Sequence, residues 1–117
     1  MNVLDAIRGR RSIRRYFGRD IPHEALIKVL DAARWAPSAK NSQPWEFIVI
    51  KDNEIKKKIS ELAPFGSFIK KAPVAIAVVT DPSLSPNFHQ VDGACAVQNL
   101  MLAAHSLGLG TCWIGPA

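Results

Sequence analysis

The longest helical pattern in the sequence runs from Val91 to Leu107 and is apolar on nearly every side. A helix of this kind has no face suited to water, so it has to be buried at the centre of the molecule or at a subunit interface. Small residues permit a neighbouring helix to approach it closely, and these are Gly93, Ala94, Ala96, Ala103 and Ala104. Gly108 suits the C′ position, where left-handed geometry ends a helix. The rest of the chain must therefore supply elements that cover residues 91–107.

Two shorter amphipathic helices are predicted before it. The first begins near Pro22, which suits an opening turn, and ends near Trp35, because Pro37 disfavours the helical conformation at the residue before it. The second spans residues 52–62, with Asp52 or the next residue as its cap. Its apolar face comprises Ile55, Ile59 and Leu62, and its solvent face comprises Lys56, Lys57 and Lys58.

Three β-prone runs complete the pattern, at residues 47–50, 74–80 and 111–114. The first two are continuously apolar, which is typical of buried strands. A short helix with Val3, Leu4 and Ile7 on one face precedes Arg10. The sequence predicts a single α+β domain, residues 1–117, in which helices flank a small β-sheet around a long buried central helix.

Positive charge is concentrated in one segment. The net charge of the chain is +5. Residues 1–19 hold six arginines and one acid, whereas the remaining residues hold nine bases and nine acids. This distribution favours a local anion site over a basic surface that binds nucleic acid, although an arginine arm that contacts nucleic acid is the competing interpretation.

The segment Arg10–Tyr16 holds four arginines and Ser12 within seven residues. Arginine forms bidentate, charge-assisted hydrogen bonds with phosphate or carboxylate. If the segment is extended, Arg10, Ser12 and Arg14 share one face, while Ile13 anchors the other. We interpret it as a phosphate-binding strip, and a solvated basic arm is the simpler alternative.

Residues 36–45 form a loop rich in proline, serine and side-chain amides. Asn41 and Gln43 can each donate and accept hydrogen bonds, which suits the edge of a heterocycle. The alternative is a connector whose polar groups bind its own backbone. Cys95 and Cys112 have no metal-binding spacing and are expected to be reduced. No apolar signal core or membrane span is evident, so a cytoplasmic protein is expected, with no membrane or nucleic-acid partner and no metal.

Three separated segments resemble the motifs of one family, the FMN-dependent nitroreductases. Residues 10–14 resemble its first flavin-binding motif, residues 37–45 its second and residues 108–115 its third. Residues 94–107 resemble its long central helix, and the motifs follow in the family's order. The resemblance implies a nitroreductase-like fold and a homodimer with FMN at the subunit interface.

By this resemblance, Arg10, Arg11 and Ser12 hold the phosphate side of FMN. Arg14 lies near the pyrimidine end of the isoalloxazine, where a fixed cation stabilises the charge of the reduced flavin. The residues that contact the flavin from the partner subunit are Pro37, Ser38 and Ala39. Asn41 and Gln43 read the ring edge, and the backbone of Ile114 and Gly115 faces the flavin near N5.

The activity that the resemblance implies is ping-pong. NADH or NADPH reduces FMN by hydride transfer and leaves, and a small acceptor such as a nitroaromatic or a quinone is then reduced. No dedicated catalytic acid or base is expected, because the cofactor carries the chemistry. The family's C-terminal part is absent after residue 117, so a compact member, a fragment, a chain that needs another chain, and a flavin-binding module without turnover are the alternatives.

Overall fold

The structure is a computed structural model that describes residues 1–115. Its helices are α1 (Val3–Gly9), α2 (His23–Arg34), α3 (Asn53–Leu62) and α4 (His89–Ser106), and its strands are β1 (Trp45–Ile50) and β2 (Ala75–Thr80). Two 3₁₀ turns, Ala39–Asn41 and Ile69–Lys71, lie in the connections. The α+β architecture agrees with the fold class expected from the sequence.

Helices α2 and α4 pack together and form the core. Leu26, Val29 and Ala33 of α2 are buried against Ala96 and Leu100 of α4, at the spacing expected for two amphipathic surfaces. The predicted bounds of α2 are confirmed, since it starts after Pro22 and ends before Trp35. The amide of Asn99 donates to the backbone carbonyl of Ala32 at 3.0 Å and ties the two helices together.

The α4 helix ends as the sequence predicts. Gly108 has a φ of 80°, the left-handed conformation of a C′ residue. The amide of Leu109 then donates to the carbonyl of Ala104 at 2.9 Å. The helix begins at His89, two residues before the predicted start, and His89 Nδ1 lies 2.8 Å from the hydroxyl of Thr80.

The sheet is smaller than predicted. Strands β1 and β2 pair antiparallel, from Trp45 opposite Thr80 to Ile50 opposite Ala75. The predicted third strand, residues 111–114, is wrong, because within residues 1–115 only an isolated bridge at Thr111 forms. The expectation of fully buried strands is also wrong. One face of the sheet packs on α4, yet Ile48 and Val49 of β1, whose side chains point to opposite faces, remain 49% and 37% accessible.

The solvent face of α3 was mispredicted. Asp52 caps the helix as expected, since its carboxylate accepts from the amide of Ile55 at 3.0 Å. However, Lys56 is buried, with only 4% of its surface exposed, while Ile55 and Leu62 are exposed. Lys56 is buried because its ammonium donates to the carbonyl of Ala72 at 2.7 Å, a partner that helical spacing cannot reveal.

Helix α1 lies against α4 through Ala6 and leaves its other apolar residues open. Val3, Leu4 and Ile7 are all more than half exposed in the single chain. His105 of α4 packs so closely against Gly9 that a Cβ there would lie 2.8 Å from the ring, so this histidine helps to pack α1 against α4. None of the helices in residues 1–115 is both long and apolar enough to cross a bilayer.

Candidate functional site

The first and third motifs meet directly behind the end of α4. Ser12 forms a parallel bridge with Thr111, and the amide of Ile13 donates to the carbonyl of Thr111 at 2.8 Å. Gly110 makes this approach possible, because a Cβ at that position would lie only 2.9 Å from the side chain of Ile13. We call the contact between residues 12–13 and 110–111 the seam. It joins two segments that lie almost a hundred residues apart in the sequence.

The arginines beside the seam differ in their exposure and in their hydrogen bonds. Arg10 is half-buried, whereas Arg14 and Arg15 are exposed. The guanidinium of Arg11 donates to the carbonyls of Arg8 and Arg10 at 2.7 and 2.8 Å, where α1 ends. Arg11 therefore caps a helix C-terminus, a role that the sequence did not indicate. Ile13 contacts Gly110 but remains 38% exposed, so it anchors the strip less deeply than expected.

Tyr16 fixes the end of the arginine strip. Its hydroxyl donates to the carbonyl of Ile13 at 2.6 Å, and its ring lies 6.2 Å from that of Phe68. Burial raises the pKa of Tyr16 to about 12, with a further rise from the charge of Cys112 that Arg14 partly opposes. The hydroxyl is therefore a neutral donor across the physiological pH range.

The second motif is a loop with unusual backbone geometry. Lys40, Asn41 and Gln43 have φ values of 54°, 54° and 49°, in the left-handed region that residues other than glycine seldom adopt. Such conformations cost on the order of 1–3 kcal/mol each and cluster at functional sites. They persist here because Pro44 is fully buried and Trp45 is almost so, which anchors the end of the loop.

Part of this loop binds its own backbone. The hydroxyl of Ser38 accepts from the amide of Gln43 at 3.0 Å, and the side-chain amide of Gln43 donates to the carbonyl of Asn41 at 3.3 Å. The side chain of Asn41 is exposed. Ser42 Oγ is buried and has no hydrogen-bond partner among the described residues. The connector interpretation is thus correct for Ser38 and Gln43, while Asn41 keeps a side chain available for a ligand.

Asp92 of α4 anchors the second motif through a hydrogen bond with its backbone. This carboxylate is 5% exposed, and it accepts from the backbone amide of Ala39 at 3.1 Å and from the hydroxyl of Ser85 at 2.9 Å. Ser85 is also buried. Sequence reasoning missed Asp92, although a carboxylate in the first turn of an otherwise apolar helix was an available signal. Because both oxygens are occupied, Asp92 acts as a fixed anchor for the loop.

The second motif lies far from the seam along α4. Asp92 anchors the loop in the first turn of this helix, and the turn at Gly108 leads from its last turn into the seam. Asp92 and the last helical residue, Ser106, are fourteen positions apart, which corresponds to about 21 Å at 1.5 Å per residue. Within one chain, the structure brings the first and third motifs together and attaches the second motif to the opposite end of α4.

The end of the third motif passes the connection between α3 and β2. A Cβ at Gly66 would lie 3.5 Å from Ile114 Cγ2, and still closer to Ala63 and Ile69. Ile114 is half-buried, whereas Gly115 and Trp113 are exposed. Ile114 and Gly115 therefore form an irregular segment at the surface, and backbone groups of such a segment are open to a ligand.

The chain is similar to known proteins over nearly its whole length. The model of the nitroreductase family matches residues 7–64 and 63–117. A protein of Methanothermobacter thermautotrophicus, with the proposed activity of an NADH dehydrogenase/NAD(P)H nitroreductase, is 51% identical over 98% of this chain and 61% of its own length. The FMN reductase [NAD(P)H] of Bacillus subtilis is 33% identical over 97% of this chain and 53% of its own length.

A solved structure gives the same result for the fold. The FMN-dependent nitroreductase of Clostridium difficile R20291 superposes with a TM-score of 0.89 at 39% identity. The match covers 95% of this chain and 65% of that protein. The chain thus spans between 53% and 65% of the length of these relatives, and the seam and the second motif lie within the shared part.

Proposed function

The chain belongs to the nitroreductase family, and from this premise we propose that it functions as an FMN-dependent oxidoreductase that uses NADH or NADPH. The seam is the observation that carries the proposal. It holds Ser12 and the neighbouring arginines next to residues 110–111 in a fixed arrangement. The relatives that support the cofactor are named as an FMN reductase and an FMN-dependent nitroreductase.

The chemistry of the side chains fits an anionic flavin. Arg14 and Arg15 are exposed, and the one ion pair among residues 1–115 joins Arg34 and Asp31. No carboxylate therefore neutralises the strip, and a phosphate can form charge-assisted hydrogen bonds with it. Asn41 supplies a free amide, and its strained loop resembles the preorganised backbone of a binding site.

Each residue is assigned one task. Arg10 and Ser12 bind the FMN phosphate, and Arg11 supports them by closing the end of α1. Arg14 supplies a cation at the pyrimidine end, where it stabilises negative charge on the reduced ring. Asn41 binds the ring edge, with Gln43 as its backbone support. The backbone of Ile114 and Gly115 lines the opposite side.

Bound FMN would supply the redox chemistry, taking a hydride from NADH or NADPH and passing electrons to a nitroaromatic, quinone or similar small acceptor in a ping-pong cycle. The protein's part is to bind, orient and polarise. No side chain is assigned as a catalytic acid or base, and none is required for the reductive half-reaction.

We further propose that the site is completed by a second copy of the chain. The second motif and the seam are attached to opposite ends of α4, about 21 Å apart along its axis. A two-fold dimer in which the two copies of α4 run antiparallel would bring the start of one α4 near the end of the other, so that Pro37, Ser38 and Ala39 reach the partner's flavin. The exposed apolar face of α1 supplies surface for such an interface.

We also propose that the protein is cytoplasmic. The two free cysteines support this location, because disulfides are rare in the cytosol.

The test is an absorbance spectrum of the purified protein, followed by anaerobic addition of NADH or NADPH. Flavin bands that bleach on addition of the reductant, and return with a nitroaromatic or a quinone, are the expected result. Flavin bands that persist after NADH and NADPH have both been tried would indicate that the protein binds flavin without turnover. A colourless protein that does not take up added FMN would contradict the proposal.

A further inference from the structure

A basic cavity of about 350 Å³ lies beyond the three motifs. It is formed by the segment after Phe17, the end of β1, the start of α3 and residues 70–73. Its charged side chains are Arg19, Lys51, Lys56, Lys70, Lys71 and Asp20. Five of these six groups are cationic, and none belongs to the flavin-binding motifs.

Two buried side chains of α3 fix the wall of this cavity. The ammonium of Lys56 donates to the carbonyl of Ala72 at 2.7 Å and lies 3.5 Å from that of Pro73. The hydroxyl of Ser60 accepts from the amide of Lys70 at 2.8 Å and donates to the carbonyl of Lys56 at 3.0 Å. The backbone of Lys70 and Lys71 is therefore held against α3, which fixes the positions from which these two cationic side chains extend.

None of these five cations forms an ion pair within the described residues. The ion pair between Arg34 and Asp31 is the one that forms among residues 1–115, and it lies on α2. The carboxylate of Asp20 accepts from the amide of Ile21 at 2.9 Å. Lysines are seldom buried without a charged partner, yet Lys56 is held by carbonyls alone. A concave surface with this charge excess concentrates anions.

We propose that this cavity binds a phosphorylated small molecule through its phosphate or diphosphate group. Lysine binds phosphate as a point charge, and a cavity of this size lies within the range of small-molecule sites. Lys70 and Lys71 also line a neighbouring cavity of about 440 Å³ that contains Arg14 and Arg15. The basic surface is thus continuous with the strip assigned to the flavin.

Two sources share this chemistry. One is the diphosphate of NADH or NADPH, an assignment that rests on the proposed function. The other is a separate phosphorylated compound that does not take part in the redox reaction. Both require the same cations, so the first experiment tests the cavity alone and does not depend on FMN.

The experiment is a calorimetric titration with inorganic pyrophosphate at about 0.15 M salt, where long-range charge effects are largely screened. The double variant K51Q/K71Q removes two exposed cations of the cavity, and K57Q/K58Q removes two exposed cations of α3 that do not line it. We expect at least tenfold weaker binding in K51Q/K71Q and unchanged binding in K57Q/K58Q. Equal weakening in the two variants, or no binding to the unaltered protein, would overturn the proposal.

A parallel titration with NADH identifies the source. If K51Q/K71Q also weakens NADH binding at least tenfold, the cavity holds the diphosphate of the reductant. If NADH binding is unchanged while pyrophosphate binding is lost, the cavity serves a separate phosphorylated compound. Failure of the flavin assignment would appear as missing flavin bands and would leave the pyrophosphate titration unaffected.

Discussion

The backbone amide of Ile13 donates a 2.8 Å hydrogen bond to the carbonyl of Thr111, and this contact joins the beginning of the chain to its last described segment. Its geometry depends on Gly110, which leaves room for the side chain of Ile13. Because the arginine strip and the third motif share this contact, a disturbance at the seam is expected to change both of them together.

The first prediction concerns Gly110→Ala. The new Cβ would lie 2.9 Å from the side chain of Ile13. That side chain is β-branched and therefore stiff, so it cannot easily move away. Overpacking of this kind costs about 1–3 kcal/mol. We expect a lower free energy of unfolding in urea and less retained flavin after purification. Gly18→Ala is the matched control, since nothing lies within 4 Å of a Cβ there; a similar loss in both variants would argue against the seam.

The second prediction concerns Arg14→Ala. A hydrogen bond to a charged group contributes about 1.5–3 kcal/mol, so we expect FMN to bind on the order of ten- to a hundredfold more weakly. The dissociation constant can be measured by quenching of flavin fluorescence. Arg34→Ala removes an equal charge from an exposed ion pair on α2 and should leave the constant unchanged. Unaltered affinity in Arg14→Ala would refute the role assigned to this arginine.

The third prediction concerns Asp92. Asp92→Ala leaves the amide of Ala39 and the hydroxyl of Ser85 without their partner, at a cost of about 1–3 kcal/mol for each group. We expect reduced stability to urea and weaker flavin binding, because the second motif loses its anchor. Asp92→Asn keeps an acceptor for the amide of Ala39 and should restore much of the binding. The exposed Asp31→Ala serves as the control for loss of a carboxylate.

Local chemistry made several of these features predictable. The bounds of α2 follow from Pro22 and Pro37, and the end of α4 follows from Gly108, because each depends on residues within one turn. The three motifs were also recognisable as short segments. The contact between the first and third motifs was not predictable, because the bridge between Ser12 and Thr111 joins residues almost a hundred positions apart.

The wrong or missed predictions share one physical cause: each of these residues interacts, or fails to interact, with partners that lie far away in the sequence. Lys56 looks like a surface residue until the carbonyl of Ala72 is placed beside it. Asp92 looks like an ordinary acid in a first turn until Ala39 and Ser85 supply its hydrogen bonds. Residues 111–114 have the composition of a strand, but a strand needs a partner along its length, and Ser12 offers one at a single position.

The fourth prediction concerns pH and Tyr16. This is the single tyrosine of the chain, so its ionisation can be followed directly by ultraviolet absorbance. Its pKa of about 12 in the folded protein exceeds the ordinary value of 10.0, mainly because of burial. The folded state therefore keeps the proton longer than the unfolded state. The resulting stability is fully present below pH 10 and is lost as the pH rises towards 12.

Tyr16→Phe removes this dependence. The variant loses the hydrogen bond to Ile13 and is expected to be less stable at neutral pH, but its free energy of unfolding should fall less steeply between pH 10 and 12. Urea unfolding at several pH values measures the difference. Parallel curves for the two proteins, or a tyrosine that titrates near 10 while the protein remains folded, would contradict the assignment.

The fifth prediction tests whether two chains build one site. Co-expression of Arg14→Ala and Asp92→Ala chains with different tags gives mixed dimers. If each site takes its strip from one chain and its loop from the other, a mixed dimer has one doubly defective site and one intact site. About half of the sites in the doubly tagged dimers then hold flavin, which is about a quarter of all sites after random pairing, whereas either variant alone binds little. If each chain formed its own complete site, mixing would restore none. Flavin content of the doubly tagged fraction therefore distinguishes the two arrangements, and the separation of Asp92 and Gly108 along α4 predicts the first.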